Sequence, residues 1–232
     1  MEPKDELRLE FLARWAGLWP DGAAPDRPPV FAGAGRAAER LRRAPEYRRA
    51  RSLAVMADPV LLQARINALA DNKTLLAATP GLKQGLVRVT PQMVPVQVRS
   101  RLLRGGSLVQ AGKPLRPPAD SLGKVEMLVV PALAVDRRGV VLGDGRGLAD
   151  LLYALLREMN ALTAATPVAV LAADEMVSEA NLPAAAWDLG VDLVVTPTQT
   201  LRCAPPLRPL AGLDGLPPAL AGLPLVRAAI SS

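Results

Sequence analysis

Apolar residues recur along the chain at two different spacings, and these spacings predict the elements of the fold. Between Lys4 and Trp19 they follow the repeat of a helix that ends at Pro20. Elsewhere, short apolar runs predict strands and longer amphipathic stretches predict helices. The predicted strands are 52–56, 73–78, 86–89, 108–110, 125–130, 167–172 and 191–195. The further predicted helices are 33–49 with a break at Pro45, 59–70 with Asp58 as its N-cap, 148–159, and a short helical turn at 183–188. A glycine-rich turn is predicted over 139–147.

The order of these elements predicts a fold class. Val125–Val130 is apolar apart from Glu126, and such a run is typical of a parallel strand buried on both faces. Strands and helices alternate with spacings that suit right-handed crossovers. We therefore predict a three-layer α/β domain over residues 1–203, with a mostly parallel central sheet and helices on both faces. A tail rich in Pro, Gly and Leu follows at 204–232, and the pattern at 81–118 leaves the conformation there open.

The amino-acid inventory excludes several kinds of catalytic site. The 232 residues include no histidine and one cysteine, Cys203. A Ser-His-Asp or Cys-His hydrolase, a histidine-ligated zinc site and an intrachain disulfide are therefore excluded. Backbone amides, Lys, Arg, Asp and Glu remain, and this set suits the handling of phosphate.

The charges are distributed unevenly. Residues 1–116 carry 20 Lys or Arg and 10 Asp or Glu, whereas residues 117–232 carry 8 and 12. The arginines of segment 36–51 suit an RNA backbone or another polyanion, but only Tyr47 offers a stacking ring nearby, and a solvated helix face is the alternative. With a charged first segment and no apolar run of about 18 residues, we expect no membrane partner and a cytoplasmic location.

The motif with the clearest chemistry is the glycine-rich stretch Leu142–Asp150. Gly143, Gly145 and Gly147 allow tight turns with positive φ, which aim backbone N–H groups at an anion such as a triphosphate. Asp150, one turn into the following helix, is placed to hold Mg²⁺ against that phosphate. The alternative is a glycine-rich loop whose aspartate only complements the helix N-terminus.

Taken in order, the motifs resemble the 5-formyltetrahydrofolate cyclo-ligase family, in particular its divergent methenyltetrahydrofolate synthetase domain-containing branch. The resemblance covers about residues 4–202. The residues that carry it are Phe31–Ala38, Ala57–Pro59, Asn72–Lys73, Thr79–Pro80, Val130–Asp136, Gly139, Leu142–Gly147, Asp150 and Val191–Pro197.

This resemblance implies an activity: ATP- and Mg²⁺-dependent closure of 5-formyltetrahydrofolate to 5,10-methenyltetrahydrofolate. The formyl oxygen is phosphorylated, the neighbouring nitrogen attacks and phosphate leaves. Because the substrate supplies the attacking atom, no histidine or cysteine nucleophile is needed. The alternative is a catalytically inactive member that binds a nucleotide or a reduced folate, or acts in regulation.

The resemblance also assigns roles to particular positions. By position, ATP would be contacted by Lys4, Gly143, Gly145, Arg146 and Gly147, Mg²⁺ by Asp150, and further anionic or substrate groups by Arg65, Lys73 and Glu175. Five positions depart from the family pattern. Val141 replaces an arginine, Asp144 a lysine or aromatic residue, Ala149 an aromatic residue, and Ala173 and Trp187 replace histidines. These departures imply weak or altered nucleotide binding.

Overall fold

A mixed sheet of eight strands forms the centre of the fold in the computed structural model, which describes residues 3–22, 24–25, 27–117, 119–203, 208, 213 and 218–230. The strands are β1 Ser52–Val55, β2 Thr74–Ala78, β3 Leu86–Val89, β4 Lys113–Pro114, β5 Met127–Pro131, β6 Ala134–Asp136, β7 Val141–Leu142, β8 Val168–Leu171, β9 Val177–Ser178, β10 Leu193–Val195 and β11 Thr200–Arg202. The α-helices are α1 Pro3–Leu18, α2 Ala34–Arg43, α3 Pro45–Arg49, α4 Leu62–Ala70, α5 Arg99–Leu102, α6 Leu108–Ala111, α7 Leu148–Glu158, α8 Pro218–Ala221 and α9 Pro224–Ile230. Short 3-10 turns cover Pro59–Leu61, Pro80–Leu82, Pro91–Met93, Val96–Val98, Gly105–Ser107 and Asp174–Met176.

The central sheet has the strand order β11-β10-β8-β5-β1-β2-β3-β4, and β10, β8, β5, β1 and β2 are parallel. Strands β5 and β8 are buried along their whole length, as their continuous apolar runs predict. The chain leaves β1 towards β2 on one side and later returns to β5, β8 and β10 on the other. Right-handed crossovers in opposite directions place α4 and α7 on opposite faces, which confirms the predicted α/β fold. The change of direction lies between β1 and β5.

A second sheet of three short strands, in the order β7-β6-β9, supports the glycine-rich loop. Its β6–β7 turn closes around the buried carboxylate of Asp136, which accepts hydrogen bonds from the backbone N–H groups of Arg138, Val140 and Leu182. The strand before the glycine-rich loop therefore belongs to this small sheet. The interpretation of 139–147 as one continuous turn is wrong, because β7 lies within it.

A column of stacked aromatic rings fixes α1 to the domain. The ring centroids of Phe11 and Trp15 lie 5.7 Å apart, those of Trp15 and Trp19 5.0 Å, and those of Trp19 and Phe31 6.0 Å. The buried indole N–H of Trp15 donates to the carbonyl of Leu133, 2.8 Å away, between β5 and β6. These contacts fix the C-terminal half of α1 to the domain.

Three local predictions need correction. Residues 108–110 lie in the helix α6 rather than in a strand, and 183–188 form no helix but contain one turn, in which the N–H of Asp188 donates to the carbonyl of Ala185 at 3.1 Å. Asp58 does occupy an N-cap position, but its side chain makes no capping hydrogen bond and the turn that follows is 3-10. Of the predicted tail at 204–232, only Arg208, Leu213 and residues 218–230 are described. No helix in the described part of the chain is long and apolar enough to cross a membrane.

Candidate functional site

A cavity of about 250 Å³ lies at the carboxyl ends of β1 and β2, beside the start of α7. In open α/β sheets, ligands bind at the carboxyl edge where the strand order changes direction, and this cavity borders that point. Its wall combines the segments after β1 and β2, the 105–106 turn and the end of the glycine-rich loop. The lining residues are Arg27, Met56, Ala57, Asp58, Pro59, Ala78, Thr79, Pro80, Gly81, Leu82, Gly105, Gly106, Arg146 and Leu148.

Two of the three glycines in the glycine-rich loop have the positive φ that the sequence predicts, whereas Gly143 does not. Gly145 has a φ of +90° and Gly147 a φ of +64°, a region that favours glycine. Gly147 is also the N-cap residue of α7, so the loop ends at the positive end of an 11-residue helix. A Cβ atom at Gly143 would meet nothing within 4 Å. The backbone at Gly143 is therefore open to an approaching group.

Helix α1 lies over this loop and brings a lysine to the metal-ligand candidate. The Nε of Arg8 donates to the carbonyl of Gly143 at 3.2 Å, and Lys4 forms an ion pair with Asp188. Asp150 accepts a hydrogen bond from the backbone N–H of Leu189, 2.7 Å away, next to Asp188. The structure thus gathers Lys4, Asp150 and the glycine-rich loop in one place, although Lys4 and Asp150 are far apart in the sequence.

Burial raises the pKa of Asp150, and the negative charge of Asp188 raises it further, whereas the N–H of Leu189 and the charge of Lys4 lower it. Burial also raises the pKa of Asp58 at the cavity wall, with a further contribution from the charge of Asp144. Two half-buried carboxyl groups with raised pKa values at one edge of a sheet are typical of a ligand site.

Three cations at this edge are paired with carboxylates. Arg146 donates from its Nε to Asp144 at 2.9 Å, Arg8 pairs with Asp5 at 2.5 Å, and Lys4 pairs with Asp188. With Arg27 on the cavity wall, four cations face five aspartates among the described residues, at positions 5, 58, 144, 150 and 188. A nucleotide triphosphate would meet net negative charge here unless a divalent cation accompanied it.

The residues present fit magnesium in the form it usually takes beside a nucleotide. Mg²⁺ is commonly held by one or two carboxylates together with substrate phosphates and water. Asp150 has one carboxylate oxygen on the N–H of Leu189, and the charges of Asp188 and Lys4 are close enough to act on the group. Among the described residues no cluster of three or more Asp, Glu, Cys or His side chains could hold a metal ion by itself. Metal binding would therefore depend on the phosphate.

Arg65 does not face the cavity as an anion contact, which corrects that interpretation. Its side chain is completely buried; its Nε donates to the carbonyl of Leu103 at 2.8 Å, and its Nη1 donates to the carbonyls of Met56 and Asp58. Burial lowers its pKa to about 10. Arg65 therefore joins two walls of the cavity from behind.

Lys73 and Glu175 lie outside the site. Lys73 immediately precedes β2, so it lies at the amino edge of the sheet, where its Nζ donates to the carbonyl of Ala50. Glu175 is exposed. Its neighbour Asp174 instead accepts hydrogen bonds from the hydroxyls of Thr196 and Thr198, each at 2.5 Å, and so links the ends of β8 and β10.

The departures from the family pattern have different surroundings. Ala173 is buried where β8 ends, whereas Trp187 is 70% exposed beside the Lys4–Asp188 pair. Sequence reasoning missed Arg8, Asp58 and Asp188 as site residues. The signal for Asp58 is its position directly after a buried strand, and that for Asp188 is a lone carboxylate beside a tryptophan; nothing in the sequence marks Arg8.

Fold and site together define an α/β protein with a ligand cavity at the carboxyl edge of a parallel sheet. The model of the 5-formyltetrahydrofolate cyclo-ligase family matches residues 1–197, and the chain belongs to this family. It is 36% identical over 181 residues to a methenyltetrahydrofolate synthase domain-containing protein of Bos taurus, covering 75% of this chain and 46% of that protein. Its counterpart in Homo sapiens is 31% identical over 179 residues, with 75% and 46% covered. The chain thus spans about half the length of these curated relatives.

A 5-formyltetrahydrofolate cyclo-ligase of Mycolicibacterium smegmatis is 34% identical over 110 residues, covering 45% of this chain and 53% of that enzyme. Among solved structures, the 5,10-methenyltetrahydrofolate synthetase of Aquifex aeolicus superposes with a TM-score of 0.56 at 21% identity, over 92% of this chain and 99% of that one. This likeness confirms the fold.

Proposed function

We propose that this protein binds ATP with Mg²⁺ at the glycine-rich loop and a reduced folate in the adjoining cavity, and closes 5-formyltetrahydrofolate to 5,10-methenyltetrahydrofolate. The observation that carries the proposal is the meeting of Lys4, Asp150 and the open loop backbone beside the cavity. Family membership supports the same chemistry. The proposal includes the cytoplasm as its location.

The reaction needs positioning and charge stabilisation rather than a protein nucleophile. The γ-phosphoryl group passes from ATP to the formyl oxygen, the neighbouring folate nitrogen forms the new C–N bond, and the oxygen leaves with phosphate. Mg²⁺ would neutralise charge on the transferring phosphoryl group. Lys4 would exchange Asp188 for phosphate oxygens, and the N–H groups around Gly145 and the N-terminus of α7 would bind the remaining oxygens.

An absorbance assay tests the proposal. Purified protein with ATP, Mg²⁺ and 5-formyltetrahydrofolate should produce the absorbance of methenyltetrahydrofolate. Asp150→Ala should lower the rate by about 100-fold or more, because it removes a group that acts on developing charge. Glu158→Ala, an exposed carboxylate on the same helix, is the matched control and should retain the rate. A silent wild type would overturn the catalytic proposal.

One observation favours a second candidate, a binding protein without turnover. Asp144 and Asp188 neutralise Arg146 and Lys4, the two cations that would otherwise contact phosphate. Under this candidate, ATP with Mg²⁺ or the folate raises the melting temperature although no methenyl product forms. Product formation would exclude it.

A further inference from the structure

A second cavity lies at the opposite edge of the sheet from the proposed ATP site. Its volume is about 520 Å³, within the range of about 300–1,000 Å³ that is common for small-molecule sites. It is formed where α2, α3 and α4 end, next to the starts of β1 and β2. We call it the amino-edge cavity; its charged lining residues are Glu39, Arg42, Arg43, Arg48, Asp71 and Lys73.

The two carboxylates of this cavity are both bound to one arginine. Arg42 donates its Nε and Nη2 to Asp71 at 2.9 and 2.6 Å, and its Nη1 to Glu39 at 2.9 Å. The hydroxyl of Tyr47 donates to Asp71 at 2.9 Å as well. Asp71 thus accepts hydrogen bonds from two residues, and Glu39 accepts one from Arg42.

The remaining cations are left with excess positive charge. Arg43 and Arg48 are exposed, and no ion pair among the described residues includes either of them. The neighbouring carboxylate of Glu46 pairs with Arg202 instead. Lys73 is buried, with its ammonium group 4.7 Å from the centroid of the Tyr47 ring. Four cations against two carboxylates leave the cavity with a formal charge of +2.

We propose that the amino-edge cavity binds a phosphate group carried by a small molecule, with Arg43 and Arg48 as its direct ligands. A phosphate dianion matches the formal charge of the cavity, and two guanidinium forks match its oxygens in geometry. The lining favours a small ligand over a single-stranded nucleic acid. The one aromatic ring of the cavity, Tyr47, is only 1% exposed, so no surface is available for stacking bases.

This site is independent of the proposed ATP site. The path along β2 from Lys73 to Thr79 at the carboxyl edge spans about 20 Å, at about 3.3 Å per residue. A ligand in the amino-edge cavity therefore does not touch the glycine-rich loop. The cyclo-ligase proposal can therefore fail while the phosphate proposal holds, and the phosphate proposal can fail while the cyclo-ligase proposal holds.

Calorimetric titration with inorganic phosphate and with pyrophosphate tests the proposal, alongside NMR of the arginine Nε–Hε signals, which locates the binding. We expect saturable binding that shifts the signals of Arg43 and Arg48, assigned by their loss in the double variant. Arg43→Gln with Arg48→Gln should weaken this binding by about tenfold or more. Arg101→Gln with Arg116→Gln removes the same charge from exposed positions outside both cavities and should leave binding unchanged.

Three results would overturn the proposal. They are no shift of the Arg43 and Arg48 signals at millimolar phosphate, equal weakening in both double variants, and tighter binding of a single-stranded RNA oligonucleotide than of phosphate through the same arginines. The last would make the surface a nucleic-acid interface. Because Arg43 and Arg48 are exposed, an unchanged melting temperature of the variant shows that its fold is intact.

Discussion

The two edges of the central sheet have opposite electrostatic character. Among the described residues, five aspartates face four cations at the carboxyl edge, whereas the amino-edge cavity has four cations and two carboxylates. Both edges contain tight Asp–Arg pairs. Ion pairs alone therefore do not identify a binding site. The net charge that remains once the pairs are counted decides which ligand each edge attracts.

The local backbone explains this difference. The amino edge receives the C-terminal ends of α2 and α3, whose last turns are basic and so complement the helix dipoles. The carboxyl edge receives the N-terminus of α7 through Gly147. An anion at the carboxyl edge is bound by N–H groups and an accompanying cation, whereas an anion at the amino edge is bound by side chains.

Replacing the buried arginine of the carboxyl edge should have the largest effect. Arg65→Met leaves the carbonyls of Met56, Asp58 and Leu103 without their donor and should lower the free energy of unfolding by about 3 kcal/mol in urea titrations. Arg42→Met at the amino edge, which breaks a half-exposed pair, should cost about 1 kcal/mol. Equal losses would show that burial does not distinguish the two arginines.

At the amino edge, Tyr47→Phe should cost about 1 kcal/mol, because it removes one hydrogen bond to Asp71 and keeps the buried ring. Chemical denaturation measures the loss. Phosphate binding at Arg43 and Arg48 should persist in this variant, since the Arg42–Asp71 contacts stay. Loss of phosphate binding together with stability would make Tyr47 part of the ligand site.

Asp150→Asn should stabilise the protein at pH 7. Because the pKa of Asp150 is raised by folding, the folded state keeps a proton that the unfolded chain has lost. The free energy of unfolding therefore falls as the pH rises from the pKa that Asp150 has in the unfolded chain to its higher pKa in the folded protein. The gain in melting temperature should shrink towards pH 3.

Asp120→Asn is the control, because its expected change in stability at pH 7 has the opposite sign. Its hydrogen bond from Lys113 lowers the pKa of Asp120, so the carboxylate contributes stability above the usual aspartate range and loses it as pH falls. This variant should be less stable than the wild type at pH 7. If both variants shifted in the same direction, burial would not govern Asp150.

The smallest expected effect concerns the excess of negative charge at the glycine-rich loop. Asp144→Asn removes one negative charge and the ion pair that Asp144 makes with Arg146, so ATP with Mg²⁺ should bind about threefold tighter at low salt, with the gain fading as ionic strength rises. Calorimetry measures both. Weaker binding would instead make Asp144 a metal ligand.

Much of the fold follows from local pattern, and the exceptions have physical causes. The pattern predicts β1, α4, β2, β3 and α7 because each has a distinct periodicity and clear end signals. Residues 108–110 are an apolar run too short to separate strand from helix, and tertiary packing makes them helical. The small sheet was missed because its strands have only two or three residues.

The candidate site was harder to predict than the fold. The loop glycines and Asp150 carry signals in the local sequence, and Lys4 was found through the resemblance. Arg65 and Lys73 could not be placed in this way, because motif order does not show which edge of the sheet a side chain occupies. The structure places Arg65 behind the cavity and Lys73 at the far edge.

The three tryptophans differ in their exposure to solvent, and fluorescence can measure this difference. Trp15 is 1% exposed and stacks with Trp19, whereas Trp187 is 70% exposed and adjoins the residue that pairs with Lys4. A neutral quencher such as acrylamide should therefore extinguish the emission of Trp187 first. A nucleotide that draws Lys4 away from Asp188 would change that emission, so the chain carries an optical probe at the mouth of its proposed ATP site.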